Sequence, residues 1–252
     1  MSDGERGKTK VNQSFYTAAV GAAQQQSHLN VRANNIANVN TYGYKAQTAS
    51  FASLMYGTVA GIGGEALPRG SGARLSMTGV DHRDGAVQNT GRAQDYAILG
   101  DGFFALYDPA DGEISYTRDG SFTLSQSQSV NADGEQESVL MLSDGEGRFV
   151  LDNRGALLTV TDAEGEQPVG VFDFANTDGM VRVGENRFVP AAKNGGVRFG
   201  AGTVQRGALE TSNVDLAQEI TKVIEAQRSF SYALNMVETS DELETTANNL
   251  RT

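Results

Sequence analysis

The chain has 252 residues, 39% of them hydrophobic and 8% aromatic, with no Trp, no Cys and a formal net charge of −11. This length allows one large domain or two modest ones with a buried core. The missing Cys excludes disulfides, thiolate metal sites and a thiol nucleophile, and the acidity argues against nucleic acid as a partner.

Residues 1–13, MSDGERGKTKVNQ, are polar and lack the apolar central region of a cleavable signal peptide, so they read as a flexible tail. Residues 14–43 read as a helix and its stop. Ser14 is an N-cap residue type. Phe15, Ala19, Ala22, Leu29, Ala33 and Ile36 recur in 4-3 spacing, broken only by Gln26. That repeat marks a helix that packs along another helix. The run Asn38-Val39-Asn40-Thr41-Tyr42-Gly43 stops it, with Gly43 expected at positive φ.

Residues 44–95 read as an extended, Gly-rich connecting segment, punctuated by Gly61, Gly63, Gly64, Pro68, Gly70 and Gly72. Its GIGG run has no phosphate-loop Lys and follows no clear buried strand, so it is a linker rather than a nucleotide loop. From Tyr96 to 208 short apolar runs alternate with Asp-Gly turns at Asp101-Gly102, Asp111-Gly112 and Asp119-Gly120. Asp-Gly between such runs is a hairpin signal. Further strands are expected near 139–142, 148–151, 157–161, 169–174, 180–183, 187–190 and 197–199. This rhythm predicts an antiparallel sandwich or open barrel.

Residues 209–252 return to helix, with Asn213 or Asp215 as the cap. Leu216, Ile220, Val223, Phe230, Leu234 and Val237 repeat the 4-3 spacing, broken at Gln227. After Val237 the apolar face drifts to Leu243, Ala247 and Leu250, as a 3.6-residue helix does against a 3.5-residue repeat. Residues 1–64 carry five Lys/Arg against two Asp/Glu, and residues 210–252 carry three against eight. Opposite charge favours pairing of the two ends and sets its orientation. The fold class is therefore α+β: N- and C-terminal helices pairing as a coiled coil, plus a mainly antiparallel β middle domain. The twelve apolar heptad positions named above form the candidate assembly interface.

Candidate chemistry is sparse. His28 and His82 have no sequence-near partner at metal-ligand spacing. The acidic turns DPADGE, NADGEQE and SDGEG lack the alternating ligand set closed by Glu at the twelfth position, so they read as hairpin turns. No Gly-x-Ser-x-Gly elbow occurs. No catalytic, metal-binding or cofactor-binding residue is assigned, no cofactor or small-molecule substrate is expected, and the chain reads as a non-enzyme. A β-domain hydrolase of glycans or peptides with helical dimerisation arms is the rival from another class. It would need a cleft of paired acids.

The segment Asn34-Asn35-Ile36-Ala37-Asn38-Val39-Asn40-Thr41-Tyr42-Gly43-Tyr44-Lys45 resembles the N-terminal signature of the bacterial flagellar rod and hook proteins. Asp101-Gly102-Phe103-Phe104 and Tyr116-Thr117-Arg118-Asp119-Gly120-Ser121-Phe122 resemble that family's β-domain motifs. Leu209-Glu210-Thr211-Ser212-Asn213-Val214-Asp215, followed by Ala226-Gln227-Arg228-Ser229-Phe230, resembles its C-terminal signature. The matches keep the family's order and cover most of residues 14–250. Asn34, Asn35, Asn38, Asn40, Gly43, Lys45 and Asn213 are the signature residues carried over.

The resemblance implies a structural subunit of the basal-body rod, exported by the flagellar type III apparatus and polymerised into a helical tube that transmits torque. Its implied partners are copies of itself, other rod and hook proteins and the export apparatus. Its implied place is outside the cytoplasmic membrane, in the periplasm or cell-wall zone. The length and the single middle domain look more like a rod protein of the FlgG/FlgF type than a hook protein. A short hook-like axial subunit is the alternative. The polar leader before Asn12 departs from the family pattern, whose chains begin close to the first helix.

Overall fold

The computed structural model describes residues 3–53, 57–60, 66–69, 73–130, 136–161, 165 and 167–250. It divides into two compact units, the first comprising Met1–Ala37, Gln47–Gly79 and Asp215–Thr252, the second Asn38–Ala46 and Val80–Val214.

The first unit is built on two long helices, α1 (Asp3–Ala37) and α2 (Leu216–Asn249). Arg32, near the end of α1, is bonded to Glu219 in the first turn of α2, so the two run antiparallel. The helix starts at Asp3, not at Ser14, and residues 3–13 are helical rather than a tail. α1 has 35 residues and α2 has 34. Asp215 caps α2, its carboxylate accepting from the Gln218 N–H at 3.1 Å.

Between the helices the chain is less irregular than its glycines suggest. Strands β1 (Gln47–Ser53) and β4 (Ala73–Val80) pair, and β2 (Gly57–Ala60) with β3 (Ala66–Arg69) forms a hairpin. These strands carry Ser, Ala, Thr and Gly in place of a strong apolar alternation, so the period-2 signal is faint. The GIGG run, 61–64, and Gly70 and Gly72 lie outside the described residues, as does most of the NADGEQE turn.

The second unit opens with a short strand, β5 (Val87–Asn89), then β6 (Tyr96–Leu99), β7 (Phe104–Tyr107), β8 (Ile114–Thr117), β9 (Thr123–Val130), β10 (Gln136–Ser143) and β11 (Phe149–Val150). It continues through β12 (Phe172–Phe174), β13 (Val181–Gly184), β14 (Arg187–Val189), β15 (Val197–Phe199), β16 (Thr203–Arg206) and β17 (Ala208–Glu210). Seven strands make one antiparallel sheet in the order β13-β14-β8-β7-β11-β10-β9. Three two-stranded ladders, β12-β15, β16-β6 and β17-β5, complete the unit.

The central strand β7 is covered on both faces. Phe104 and Leu106 enter one apolar cluster with Ile98, Phe122, Leu142 and Val150. Phe103 and Ala105 enter the other with Tyr116, Phe172, Phe174 and Phe188. A strand alternates its side chains across the sheet, so a run buried on both sides reads as continuously apolar, as Phe103-Phe104-Ala105-Leu106 does. The arrangement is thus a sheet with both faces covered rather than a plain two-layer sandwich or open barrel.

Of the three Asp-Gly pairs only Asp111-Gly112 closes a hairpin; Asp101-Gly102 lies between β6 and β7, and Asp119-Gly120 between β8 and β9, and neither of those strand pairs is a ladder. Between β7 and β8, Asp108 N donates to Glu113 O at 2.9 Å, and Gly112 sits at φ 71°. The β13–β14 turn uses Glu185 and Asn186 at φ 48° and 56°, a left-handed pair that twists with the strands it joins.

Candidate assembly interface

In α2 the covered or half-covered positions include Glu219, Val223, Ala226, Phe230, Ala233, Val237, Ser240 and Glu244. In α1 they include Ala18, Ala22, Gln25, Leu29, Arg32 and Ile36. Both series keep the 4-3 spacing of a coiled-coil seam. They share only alternate members with the apolar heptads of the sequence. Ala22, Leu29, Ile36, Val223, Phe230 and Val237 lie on the covered face. Phe15, Leu216, Ile220 and Leu234 are 38%, 42%, 46% and 41% exposed. Ala33 is exposed and Ala19 half-buried. The helix pair therefore buries one stripe and leaves a neighbouring apolar stripe open.

The end of α1 is tied by its signature Asn. Asn35 is fully buried; its Nδ2 donates to Gln47 O at 2.9 Å, and its Oδ1 accepts from Gln47 N at 2.8 Å. A carboxamide has the same donor–acceptor pair as a peptide group, so Asn35 stands in for a neighbouring strand beside Gln47. Asn34 is exposed.

In the second unit three of the sequence motifs converge on one buried carboxylate. Glu210 Oε1 accepts from Lys45 Nζ and from Gly85 N, each at 2.7 Å, and Oε2 accepts from Arg118 Nη1 at 3.0 Å. The three side chains are 3% exposed or less. Lys45 Nζ donates also to Arg83 O at 2.7 Å, and Arg118 Nη2 to Gly100 O at 2.7 Å. Asp84 stands 3.4 Å from Arg118 Nη2. Burial pushes the Lys45 ammonium below its ordinary value, against the pull of the Glu210 charge and hydrogen bond. Two cations share Glu210 and half-exposed Asp84, and backbone carbonyls take further donors of both, as a buried charge requires, while Arg118 Nε is buried without a hydrogen-bond partner among the described residues.

The turn before Lys45 is fixed by backbone geometry. Gly43 has φ 65°, and its N–H donates to Glu210 O at 2.8 Å. A Cβ there would lie 2.5 Å from the Arg118 carbonyl carbon and 2.7 Å from Asp119 Cα. Asn38 receives the Thr41 hydroxyl at 3.2 Å, and Asn186 Nδ2 holds Tyr42 O at 3.0 Å. Asn40 is exposed.

Asn213 is not a helix cap. Its Oδ1 accepts from Ala46 N at 2.8 Å, and its Nδ2 donates to Asp81 O at 2.8 Å and Arg83 O at 2.9 Å. One side chain thus joins the segment after the signature turn to the 81–83 segment.

Glu210 and Arg118 stood inside quoted motifs without a role, and Arg32, Asp84 and Glu219 went unmarked. The pairing of Lys45 with Glu210 spans 165 residues, and that of Arg32 with Glu219 spans 187. No spacing rule reaches so far. The available signal was the rarity of basic residues in a −11 chain, within motifs otherwise made of turn formers.

Three family models match the chain in order: "Flagella basal body rod protein" at residues 15–45, "Flagellar hook protein FlgE/F/G D1 domain" at 97–138, and "Flagellar basal body rod FlgEFG protein C-terminal" at 205–250. The chain is 34% identical to the flagellar basal-body rod protein FlgG of Bacillus subtilis (strain 168), over 91% of this chain and 96% of that protein. It is 32% identical to FlgG of Buchnera aphidicola subsp. Baizongia pistaciae, again over 91% and 96%. The chain belongs to the flagellar basal-body rod protein family. Within that family it is FlgG-like, and it is also 31% identical to the rod protein FlgF of Mesorhizobium japonicum, over 86% of this chain and 88% of that one. The rod family is structural, not enzymatic. The first and last matches cover the Gly43–Lys45 turn and the Glu210–Asn213 segment, so the buried tie lies within the matched regions. Among the described residues no helix is long and apolar enough to cross a membrane.

Proposed function

We propose that the chain is an axial rod subunit that polymerises with copies of itself and other rod and hook proteins into a helical tube that transmits torque. The flagellar type III apparatus exports it, and the tube stands outside the cytoplasmic membrane, in the periplasm or cell-wall zone. The observation that carries this reading is the open apolar stripe on a helix whose adjacent face is already covered: Leu216, Ile220, Ile224 and Leu234. Exposed apolar rows of that kind mark association surfaces. Fully burying a Leu or Ile side chain contributes about 1.5–3 kcal/mol, so covering a half-exposed row favours association by several such fractions. Copies that meet head to tail without closing a ring build an open filament.

Electron cryotomography of basal bodies in a strain lacking this chain tests the proposal. A truncated rod without a hook is the expected result. An intact rod without a hook would place the subunit distal to the rod, and normal flagella would overturn the reading.

A further inference from the structure

One layer of the α1–α2 seam holds a buried ion pair. Arg32 and Glu219 are 9% and 5% exposed. Arg32 Nη1 donates to both Glu219 carboxylate oxygens, at 3.0 and 3.2 Å. Asn35 Nδ2 donates to Glu219 Oε2 at 3.3 Å, and Lys222 Nζ to Oε1 at 3.2 Å.

The other side of the guanidinium belongs to His28. Arg32 Nε donates to His28 Nε2 at 3.3 Å, and Nη2 lies 3.2 Å from the same nitrogen. Arginine has donors and no acceptor, so this contact requires a lone pair on Nε2 and therefore a neutral imidazole protonated at Nδ1.

We propose that His28 is a proton-sensitive latch on the pairing of the terminal helices. Neutral, the imidazole holds the Arg32 guanidinium edge so that Nη1 faces Glu219. When Nε2 takes a proton from solvent it loses the lone pair and sets a second cation against Arg32. Arg32 must then turn away, and the first turns of α2 lose their charged tie to the end of α1. Among the described residues the charged groups that act on His28 are Arg32 on its own helix, and Glu219 and Lys222 from α2. Strand β1, which also packs on α1, contains no charged residue.

Burial first, and the Arg32 charge second, hold the imidazole below its ordinary 6.5; Glu219 opposes and Lys222 adds to the lowering. A depressed folded-state value means that the neutral layer stabilises pairing above the unfolded value, 6.5, and that this stabilisation is lost as pH falls through the folded value. The latch concerns pairing within one chain and stands apart from how the chains assemble.

Hydrogen exchange on the full chain tests it, at pH 7.5 and pH 5.5, with rates corrected for the intrinsic pH dependence of exchange. Amides of residues 25–37 and 216–226 are expected to lose protection roughly threefold or more at the lower pH, as loss of a one-proton tie allows. His28→Gln keeps an oxygen that accepts from Arg32 and is expected to hold its protection at both values. Equal protection in the wild type at both values overturns the proposal. So does the same loss in His28→Gln, or no protection of these amides at pH 7.5. The wild-type imidazole resonances give a reading that needs no variant: a titration midpoint below 6.5 is expected, and one at or above 6.5 overturns the latch.

Discussion

The ammonium of Lys45 lies 2.7 Å from the carboxylate of Glu210, and both side chains are closed to solvent, at 0% and 1% exposure. The pair joins the end of the N-terminal signature to the start of the C-terminal one. Glu210 also carries Arg118 from the β-domain motif, at 3.0 Å. Residues that look like three separate sequence signatures therefore form one electrostatic unit.

Glu210→Gln removes the charge that two buried cations share. Breaking a buried ion pair from one side typically costs about 3–5 kcal/mol, because the remaining charge is left unpaired. A loss of that size is expected in denaturant unfolding followed by tyrosine near-UV circular dichroism, the chain having no Trp. A change under about 0.5 kcal/mol, the range of ordinary surface substitutions, would mean that water or Asp84 replaces Glu210 without penalty.

Gly43→Ala places a Cβ at positive φ and against the Arg118–Asp119 backbone. The backbone conformation alone costs about 1–3 kcal/mol for a non-Gly residue, and the clash adds to it. The melting temperature of the second unit is expected to fall. Gly91→Ala is the control: it has φ 72° and open space around its Cβ position, and should lose less.

Ala226→Asp and Leu216→Asp separate the two stripes of α2. Ala226 is 3% exposed, so a carboxylate there is buried without a partner and is expected to cost roughly 3 kcal/mol or more. Helicity by far-UV circular dichroism should drop. Leu216 is 42% exposed, and its substitution should leave monomer stability within about 0.5 kcal/mol while blocking assembly. Polymerisation assays on both variants check the contrast; normal assembly of Leu216→Asp would remove the open stripe from the interface.

His82 supplies a pH dependence in the second unit. Its ring packs against Phe103 and Phe188, each with centroids at 5.7 Å. Burial, and then the charge of Lys45, lower its pKa from 6.5. The folded state therefore favours the neutral ring: the contribution is present above 6.5 and is lost as pH falls through the folded value. The urea midpoint of the tyrosine signal should fall between pH 7 and pH 5, and His82→Leu should flatten that slope.

Local chemistry was legible in the chain. The 4-3 repeats announced two paired helices, Asp-Gly announced the β7–β8 hairpin, and Gly43 announced its own left-handed turn, because each depends on residues within a few positions of one another. The family signature was legible for the same reason, since it is carried by contiguous motifs. Tertiary structure alone decided which heptad phase faces the partner helix. Two 4-3 series on one helix share every second member, and only the packed partner selects between them. It also decided that residues 3–13 continue α1, and that Asn213 bridges two segments instead of capping a helix. Glu210 is the clearest case. In sequence it is one of 31 acids; its role exists only because folding brings Lys45 and Arg118 to it across 165 and 92 residues and removes all three from water.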